Sequence, residues 1–129
     1  MKNKAIITKI NLVISVIVVI PAALIYGFDL TDFLNLNPST LDEKSFYKAI
    51  MGIYLTFSLL WIWGVFKSQL LATALISNMV FMLGLGLGRA ISIVLDGPPS
   101  MIYLVGTVGE LVLGLYGLWI LNSKYCKKM

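Results

Sequence analysis

The sequence lacks histidine altogether and has a single cysteine, Cys126, among its 129 residues. Histidine is the commonest general base and the commonest metal ligand, so its absence argues against acid–base and metal chemistry. One cysteine permits no intrachain disulfide. The sequence shows no pairing of a nucleophilic side chain with a general base. The sequence therefore predicts no metal or cofactor and favours a protein that is not an enzyme, with lipid chemistry through Glu110 and Asp96 as the enzymatic alternative.

Charged residues are also scarce. They make up 12% of the chain, 59% of the chain is hydrophobic, and the mean hydropathy is +0.92. Soluble domains are about 25% charged and about 45–50% apolar, so this composition indicates an integral membrane protein embedded in a lipid bilayer. The net charge of +4 comes from lysines that flank apolar runs. No basic stripe with interleaved aromatics exists, which excludes nucleic acid as a partner.

Four apolar segments are long enough to cross a bilayer, which needs about 20 residues of helix. They cover residues 10–26, 47–66, 70–95 and 101–121. Lys67–Ser68 and Asp96–Gly97–Pro98–Pro99 are short connections, which make neighbouring helices antiparallel. The sequence predicts an all-α fold, a four-helix up-down bundle forming one membrane domain over residues 1–129, with an extracytoplasmic loop at 27–46.

The loop at 27–46 is predicted from its polar composition. Its polar residues and proline are Asp29, Asp32, Asn35, Asn37, Pro38, Ser39, Asp42 and Glu43. A short helix capped by Ser39 or Thr40 is expected within it.

Lysines predict the orientation. One side of the bundle carries Lys2, Lys4, Lys9, Lys67, Lys124, Lys127 and Lys128, and the other carries Lys44 and Lys48. The positive-inside rule then places both termini in the cytoplasm. Aromatic residues fit this assignment, because those expected at the inner interface are Trp61, Trp63, Trp119 and Tyr125, and those expected at the outer one are Tyr26, Phe46, Tyr47 and Tyr103.

Two ionisable residues lie inside the predicted spans, Arg89 in the third and Glu110 in the fourth. Such a group costs at least about 2.5–3.5 kcal/mol at the bilayer centre and is a functional-site hypothesis by default. Counted from the turn at Gly97–Pro99, Arg89 lies about 12 Å deep and Glu110 about 18 Å deep. Two extended side chains can cover that offset, so the sequence allows a salt bridge.

Helical phase extends this polar region. Asn78, Arg89, Ser92 and Asp96 share one face of the third helix. The matching face of the fourth helix carries Tyr103, Gly106, Thr107, Glu110, Gly114 and Gly117. Facing each other, the two would form a polar seam, to which the first two helices would add Asn11, Ser15, Gly52 and Thr56. The candidate ligand-binding residues are Arg89, Glu110, Asp96 and Asn78.

Glycines recur at helical spacings in the same two helices. Gly84, Gly88 and Ser92 are four residues apart in the third helix, and Gly106, Gly114 and Gly117 lie in the fourth. Small residues allow membrane helices to approach closely, so helix packing is the main interpretation. A glycine-lined pathway is the alternative.

The segment from Gly88–Arg89 to Asp96–Gly97–Pro98, followed by Gly109–Glu110–Leu111, resembles the signature of an uncharacterised bacterial family of small four-span membrane proteins, a domain of unknown function. The segment starting at Gly52 is similar to another of its recurring positions. A weaker likeness is to DoxX-like membrane proteins, which are associated with respiratory and thiol-oxidation complexes. The resemblance implies a bacterial inner membrane and a characteristic set of Arg89, Asp96, Gly97, Pro98 and Glu110, but no activity.

Two functions of different classes follow. The first is binding or transport of a small anionic or lipid-like amphipathic ligand at Arg89 and Glu110, since a guanidinium binds carboxylate or phosphate bidentately. The second is a non-catalytic accessory or scaffold subunit of a larger membrane complex, in which the Arg–Glu pair only fixes helix register. A homo-oligomer that completes the pair between copies is a third arrangement.

Overall fold

A computed structural model describes residues 2–28 and 39–122, with side chains from Lys4 onwards. It contains the helices α1 (Lys2–Phe28), α2 (Leu41–Phe66), α3 (Leu71–Asp96) and α4 (Met101–Asn122), with a 3-10 turn at Ser68–Leu70 before α3. All four helices are long and apolar enough to cross a membrane. No strand occurs in the described ranges. The predicted all-α, four-helix membrane bundle is confirmed.

Some of the sequence-based predictions fall on residues outside the described ranges. These are Asp29, Asp32, Asn35, Asn37 and Pro38 of the predicted loop, and Lys124, Tyr125, Cys126, Lys127 and Lys128 near the C-terminus. The side chain of Lys2 is likewise outside the description.

Helix α2 starts at Leu41, within the stretch predicted to be loop. The Thr40 hydroxyl accepts a hydrogen bond from the Glu43 backbone N–H at 3.1 Å, and the Glu43 carboxylate accepts one from the Ser39 N–H at 2.7 Å. These reciprocal bonds are a capping box, which satisfies backbone donors at the helix start. The cap predicted for a short loop helix therefore begins the second membrane helix itself.

The two short connections end and restart helices where the sequence predicts. Lys67 adopts an extended conformation after α2, and its N–H donates to the Trp63 carbonyl at 2.9 Å. Gly97 follows α3 with φ of 98°, a left-handed backbone that favours glycine because it has no Cβ. The Gly97 N–H donates to Ile93 at 3.1 Å, which closes the last turn of α3.

The bundle consists of two tightly packed pairs, α1 with α2 and α3 with α4. An aromatic core of Tyr54, Phe57, Trp61 and Phe81 joins α2 to α3, with neighbouring ring centroids 5.1–6.3 Å apart. Trp61 is 0% exposed and its Nε1 donates to Ser77 at 3.1 Å, whereas Trp63 is 58% exposed. Trp61 thus belongs to the core of the bundle, and its expected depth near the inner membrane interface stays a prediction.

Close helix packing uses only part of the predicted glycine stripe, including Gly114, and also involves Gly64 and Gly86, which the sequence did not single out. A Cβ added at Gly64 would collide with Ala74, at Gly86 with Leu111, and at Gly114 with Leu83. At Gly84 and Gly88 an added Cβ would meet nothing within 4 Å. The face of α3 that carries Gly84 and Gly88 is exposed and points away from the other helices. Helical spacing in the sequence shows which residues share a face, but it does not show which face a neighbouring helix covers.

Candidate functional site

The centre of the site is an ion pair between α3 and α4. The Arg89 Nε lies 2.9 Å from Glu110 Oε2, and the two side chains are 23% and 13% exposed. The salt bridge that the depth estimate allowed is therefore present. Because both groups lie within membrane-spanning helices, each partner balances a charge that would be costly alone.

Tyrosines surround the Arg89 guanidinium. Its Nη2 donates a hydrogen bond to the Tyr26 hydroxyl of α1 at 3.1 Å, and its Cζ lies 5.5 Å from the centroid of the Tyr103 ring. The Tyr54 ring of α2 meets the Tyr26 ring edge-on, with centroids 5.7 Å apart. The site thus draws residues from all four helices.

The sequence placed Tyr103 on the predicted polar face of the fourth helix, but Tyr26 and Tyr54 were not predicted as site residues. Tyr26 was expected only at the outer membrane interface, and Tyr54 had no predicted role in the site. One signal was available, because the first and third spans of an up-down bundle run in the same direction, which puts Tyr26 and Arg89 in the same half of the membrane. Tyr54 has no comparable signal, because only the packing of α2 against α1 brings its ring to Tyr26.

A cavity of about 240 Å³ lies beside the ion pair and is here called the lateral pocket. Its apolar wall consists of Val18, Val19, Ala22, Met82, Leu85, Val105 and Leu113. Tyr26, Tyr54, Arg89 and Glu110 form its polar part, and Gly106 and Gly109 complete the lining. Val18 of α1 is 52% exposed and Val105 of α4 is 63% exposed. The pocket is therefore open between α1 and α4, on the surface that faces lipid in a membrane.

A second cavity, of about 200 Å³, is here called the end chamber. It is lined by Arg89, Ser92, Pro99, Tyr103 and Thr107, at the end of the bundle where α3 connects to α4. Arg89 borders both cavities. The guanidinium thus stands between an apolar pocket and a more polar chamber.

Asp96 and Asn78 occupy other parts of the bundle. Asp96 is exposed and its Oδ2 accepts a hydrogen bond from the Ser92 hydroxyl at 3.0 Å. Asn78 is fully buried, and its Oδ1 accepts a hydrogen bond from Asn11 Nδ2 at 3.3 Å. Eleven residues of helix, about 16 Å, separate Asn78 from Arg89. The structure thus joins Arg89 with Glu110 but leaves these two candidates apart, and their role as ligand contacts remains a prediction.

The contributions predicted from α1 and α2 are only partly as expected. Asn11 reaches Asn78, and the Ser15 hydroxyl donates to the Asn11 carbonyl at 2.9 Å, so both belong to a buried polar cluster. Gly52 and Thr56 are exposed, and the Thr56 hydroxyl donates to the Gly52 carbonyl. Their predicted place in a polar seam is wrong, because the inward face of α2 is occupied by its aromatic residues.

Comparison with known proteins gives a match to one family model. Neither the curated proteins nor the solved structures contain a match to this chain. A family model, described as a domain of unknown function, does match residues 7–121. That range includes every residue that lines the lateral pocket or the end chamber. With its four membrane helices and the Arg89–Glu110 pair inside the matched range, the chain belongs to the DUF4345 family.

Proposed function

We propose that this protein binds a small amphipathic ligand that reaches it through the bilayer. The apolar chain of the ligand lies in the lateral pocket and its polar group lies at Arg89 and Glu110. One observation carries the proposal: an apolar cavity opens between α1 and α4 towards lipid and is lined on one side by a partly buried ion pair.

The lateral pocket has features of a binding site rather than of a packing defect. Protein interiors are close-packed, with few voids larger than a water molecule, so about 240 Å³ of space is unusual in so small a bundle. Ligand pockets are mostly apolar with a few convergent polar groups, and start at about 300 Å³. The open side between Val18 and Val105 allows a chain to extend beyond the cavity into the surrounding lipid.

The ion pair favours an amphipathic ligand over a free anion. Arg89 already has Glu110 at 2.9 Å, so the pair presents no net charge to the pocket. An anion would have to replace Glu110 and leave its carboxylate unpaired within the membrane, which is costly. An uncharged polar group can hydrogen-bond to the site with the ion pair intact.

Filling the lateral pocket tests the proposal. Gly109 lines the pocket and an added Cβ there would meet nothing within 4 Å, so Gly109→Leu adds an apolar side chain at the pocket wall without a clash at Cβ. The matched control is Gly52→Leu, because Gly52 is also helical, exposed and without neighbours within 4 Å, but lies outside the pocket. Binding is measured in lipid nanodiscs by displacement of a fluorescent single-chain lipid. We expect Gly109→Leu to weaken binding at least about tenfold, which equals about 1.4 kcal/mol.

The Gly52→Leu control should bind the probe as well as the parent protein does. Equal binding by both variants, or an equal loss in both, would contradict the proposed role of the lateral pocket.

Transport of the same ligand is part of the proposal. Movement of a lipid between leaflets can be followed in vesicles that contain the protein. If Glu110 takes part in transfer, Glu110→Gln slows it while probe binding persists. Unchanged transfer by this variant would exclude a role for the Glu110 charge.

An accessory or scaffold subunit is the second candidate function. The exposed face at Gly84 and Gly88 favours it, since small residues on a lipid-facing helix let another helix approach closely. This function predicts that the protein co-purifies with a larger partner and that Arg89→Ala fails to accumulate. A folded Arg89→Ala protein that only loses probe binding would favour ligand binding instead.

We also propose that the protein lies in a bacterial inner membrane with both termini in the cytoplasm. The supporting observation is the distribution of lysines, with Lys67 between α2 and α3 on the side of the N-terminus. In a Cys126→Ser background, Ser100→Cys should react with a membrane-impermeant maleimide in spheroplasts, and Lys67→Cys only after lysis. The reverse pattern would invert the orientation.

A further inference from the structure

The hydroxyl groups of the end chamber have specific hydrogen-bonding capacity. The Thr107 hydroxyl donates its hydrogen to the Tyr103 carbonyl at 2.8 Å, and the Ser92 hydroxyl donates to Asp96 at 3.0 Å. A hydroxyl has one hydrogen and two lone pairs, so both oxygens now offer acceptors to the chamber. Arg89 supplies donors, because a guanidinium can only donate. A group bound here must both donate and accept hydrogen bonds.

The charges around the end chamber disfavour ions of either sign. The Asp96 carboxylate, which accepts a hydrogen bond from Ser92, would repel an anion that enters the chamber. Arg89 would attract such an anion only weakly, because its charge is already balanced by Glu110. A cation would face the Arg89 guanidinium, which lines the chamber directly. An uncharged group that carries hydroxyls is repelled by neither Asp96 nor Arg89. Its hydrogens can bond to the hydroxyl oxygens of the chamber, and its lone pairs can accept hydrogen bonds from Arg89.

Gly106 links the end chamber to the lateral pocket. It follows Tyr103 by three residues and precedes Glu110 by four, so all three lie on one face of α4. Tyr103 borders the chamber, Glu110 borders the pocket, and Gly106 is part of the pocket lining. An added Cβ at Gly106 would meet nothing within 4 Å, so the space along this face is open beside Arg89.

We propose that the end chamber holds the head group of the ligand, and that this head group is uncharged and hydroxylated, as in a monoacylglycerol. The inference rests on the proposed function, because the chain of the same ligand occupies the lateral pocket. The connecting part of the molecule passes over Gly106, beside the Arg89–Glu110 pair.

The test compares three single-chain lipids with the same acyl length and different heads. They are a monoacylglycerol, a fatty acid and a fatty amine, each competing with the fluorescent probe in nanodiscs of uncharged lipid. We expect the monoacylglycerol to compete best. Thr107→Val keeps the side-chain shape but removes the acceptor, and should weaken monoacylglycerol binding about fivefold, the effect of one hydrogen bond. The fatty acid and the fatty amine should be affected much less.

Two further variants separate a lost contact from a damaged fold. Thr107→Ser keeps the hydroxyl and should restore monoacylglycerol binding. Thr56→Val is the matched control, since the Thr56 hydroxyl also donates to the carbonyl four residues earlier but lies outside both cavities. It should leave the order of the three lipids unchanged.

The outcomes distinguish this inference from the proposed function. If Gly109→Leu abolishes binding but Thr107→Val and Ser92→Ala leave the order of the three lipids unchanged, the pocket binds lipid and the head group lies elsewhere. Preference for the fatty acid would overturn the assignment of an uncharged head. If Gly109→Leu has no effect on any lipid, the proposed function itself fails.

Discussion

The Arg89 guanidinium and the Tyr26 hydroxyl, 63 residues apart in the chain, are joined by a hydrogen bond of 3.1 Å. This bond connects α3 to α1, and therefore connects the two tightly packed helix pairs of the bundle. The lateral pocket lies along the same junction, so one interaction both holds the pairs together and shapes the cavity.

Tyr26→Phe tests that bond. The change removes the hydroxyl and keeps the ring that meets Tyr54. We expect it to lower the free energy of unfolding by about 1 kcal/mol, since hydrogen bonds between membrane helices are modest. Unfolding by SDS in mixed micelles measures the change. Tyr47→Phe, at the start of α2, is the control and should have little effect.

The Arg89–Glu110 pair should behave as a unit. Arg89→Met or Glu110→Leu alone leaves one charge unpaired within the bundle, and we expect each to cost about 3 kcal/mol of unfolding free energy. The double variant leaves no charge, so it should cost less than the sum of the single changes. A double-mutant cycle by SDS unfolding measures the coupling. Simple additivity of the two changes would show that the charges are not coupled.

Asn11 and Asn78 form a second interhelical contact, which we expect to be structural. Replacing Asn78 with leucine leaves the buried Asn11 amide without this partner and should cost about 1–3 kcal/mol of stability. Probe binding should not change, because about 16 Å of helix separates Asn78 from Arg89. Weaker binding with unchanged stability would instead support the prediction that Asn78 contacts the ligand.

Glycines at packed and open positions should respond oppositely to alanine. At Gly64 an added Cβ collides with the Ala74 Cβ and lies 3.2 Å from the Leu70 carbonyl oxygen. Since neither atom belongs to a flexible side chain, Gly64→Ala should cost about 1–3 kcal/mol of unfolding free energy. Gly88→Ala meets open space and should be neutral or stabilising by up to about 1 kcal/mol. Equal effects at both positions would contradict the packing described.

Much of the site could be predicted because the bilayer imposes a depth scale. Helix rise and the turn at Gly97 place Arg89 and Glu110 at compatible depths, and their contact follows from short connections between antiparallel helices. The same reasoning grouped Asn78 with Arg89 because they share a face. It could not show that this face meets α1 at Asn78 and α4 at Arg89.

The sequence by itself determined the number of membrane helices, the positions of the two short connections and the presence of one positive and one negative charge inside the spans. Those features depend on composition and helical rise, which are local properties of the chain. Only the tertiary structure decided that Tyr26 and Tyr54 join the site, that Gly86 packs while Gly84 faces outward, and that a pocket opens between α1 and α4. The rotation and separation of neighbouring helices determine these features, and no periodicity within a single helix specifies either.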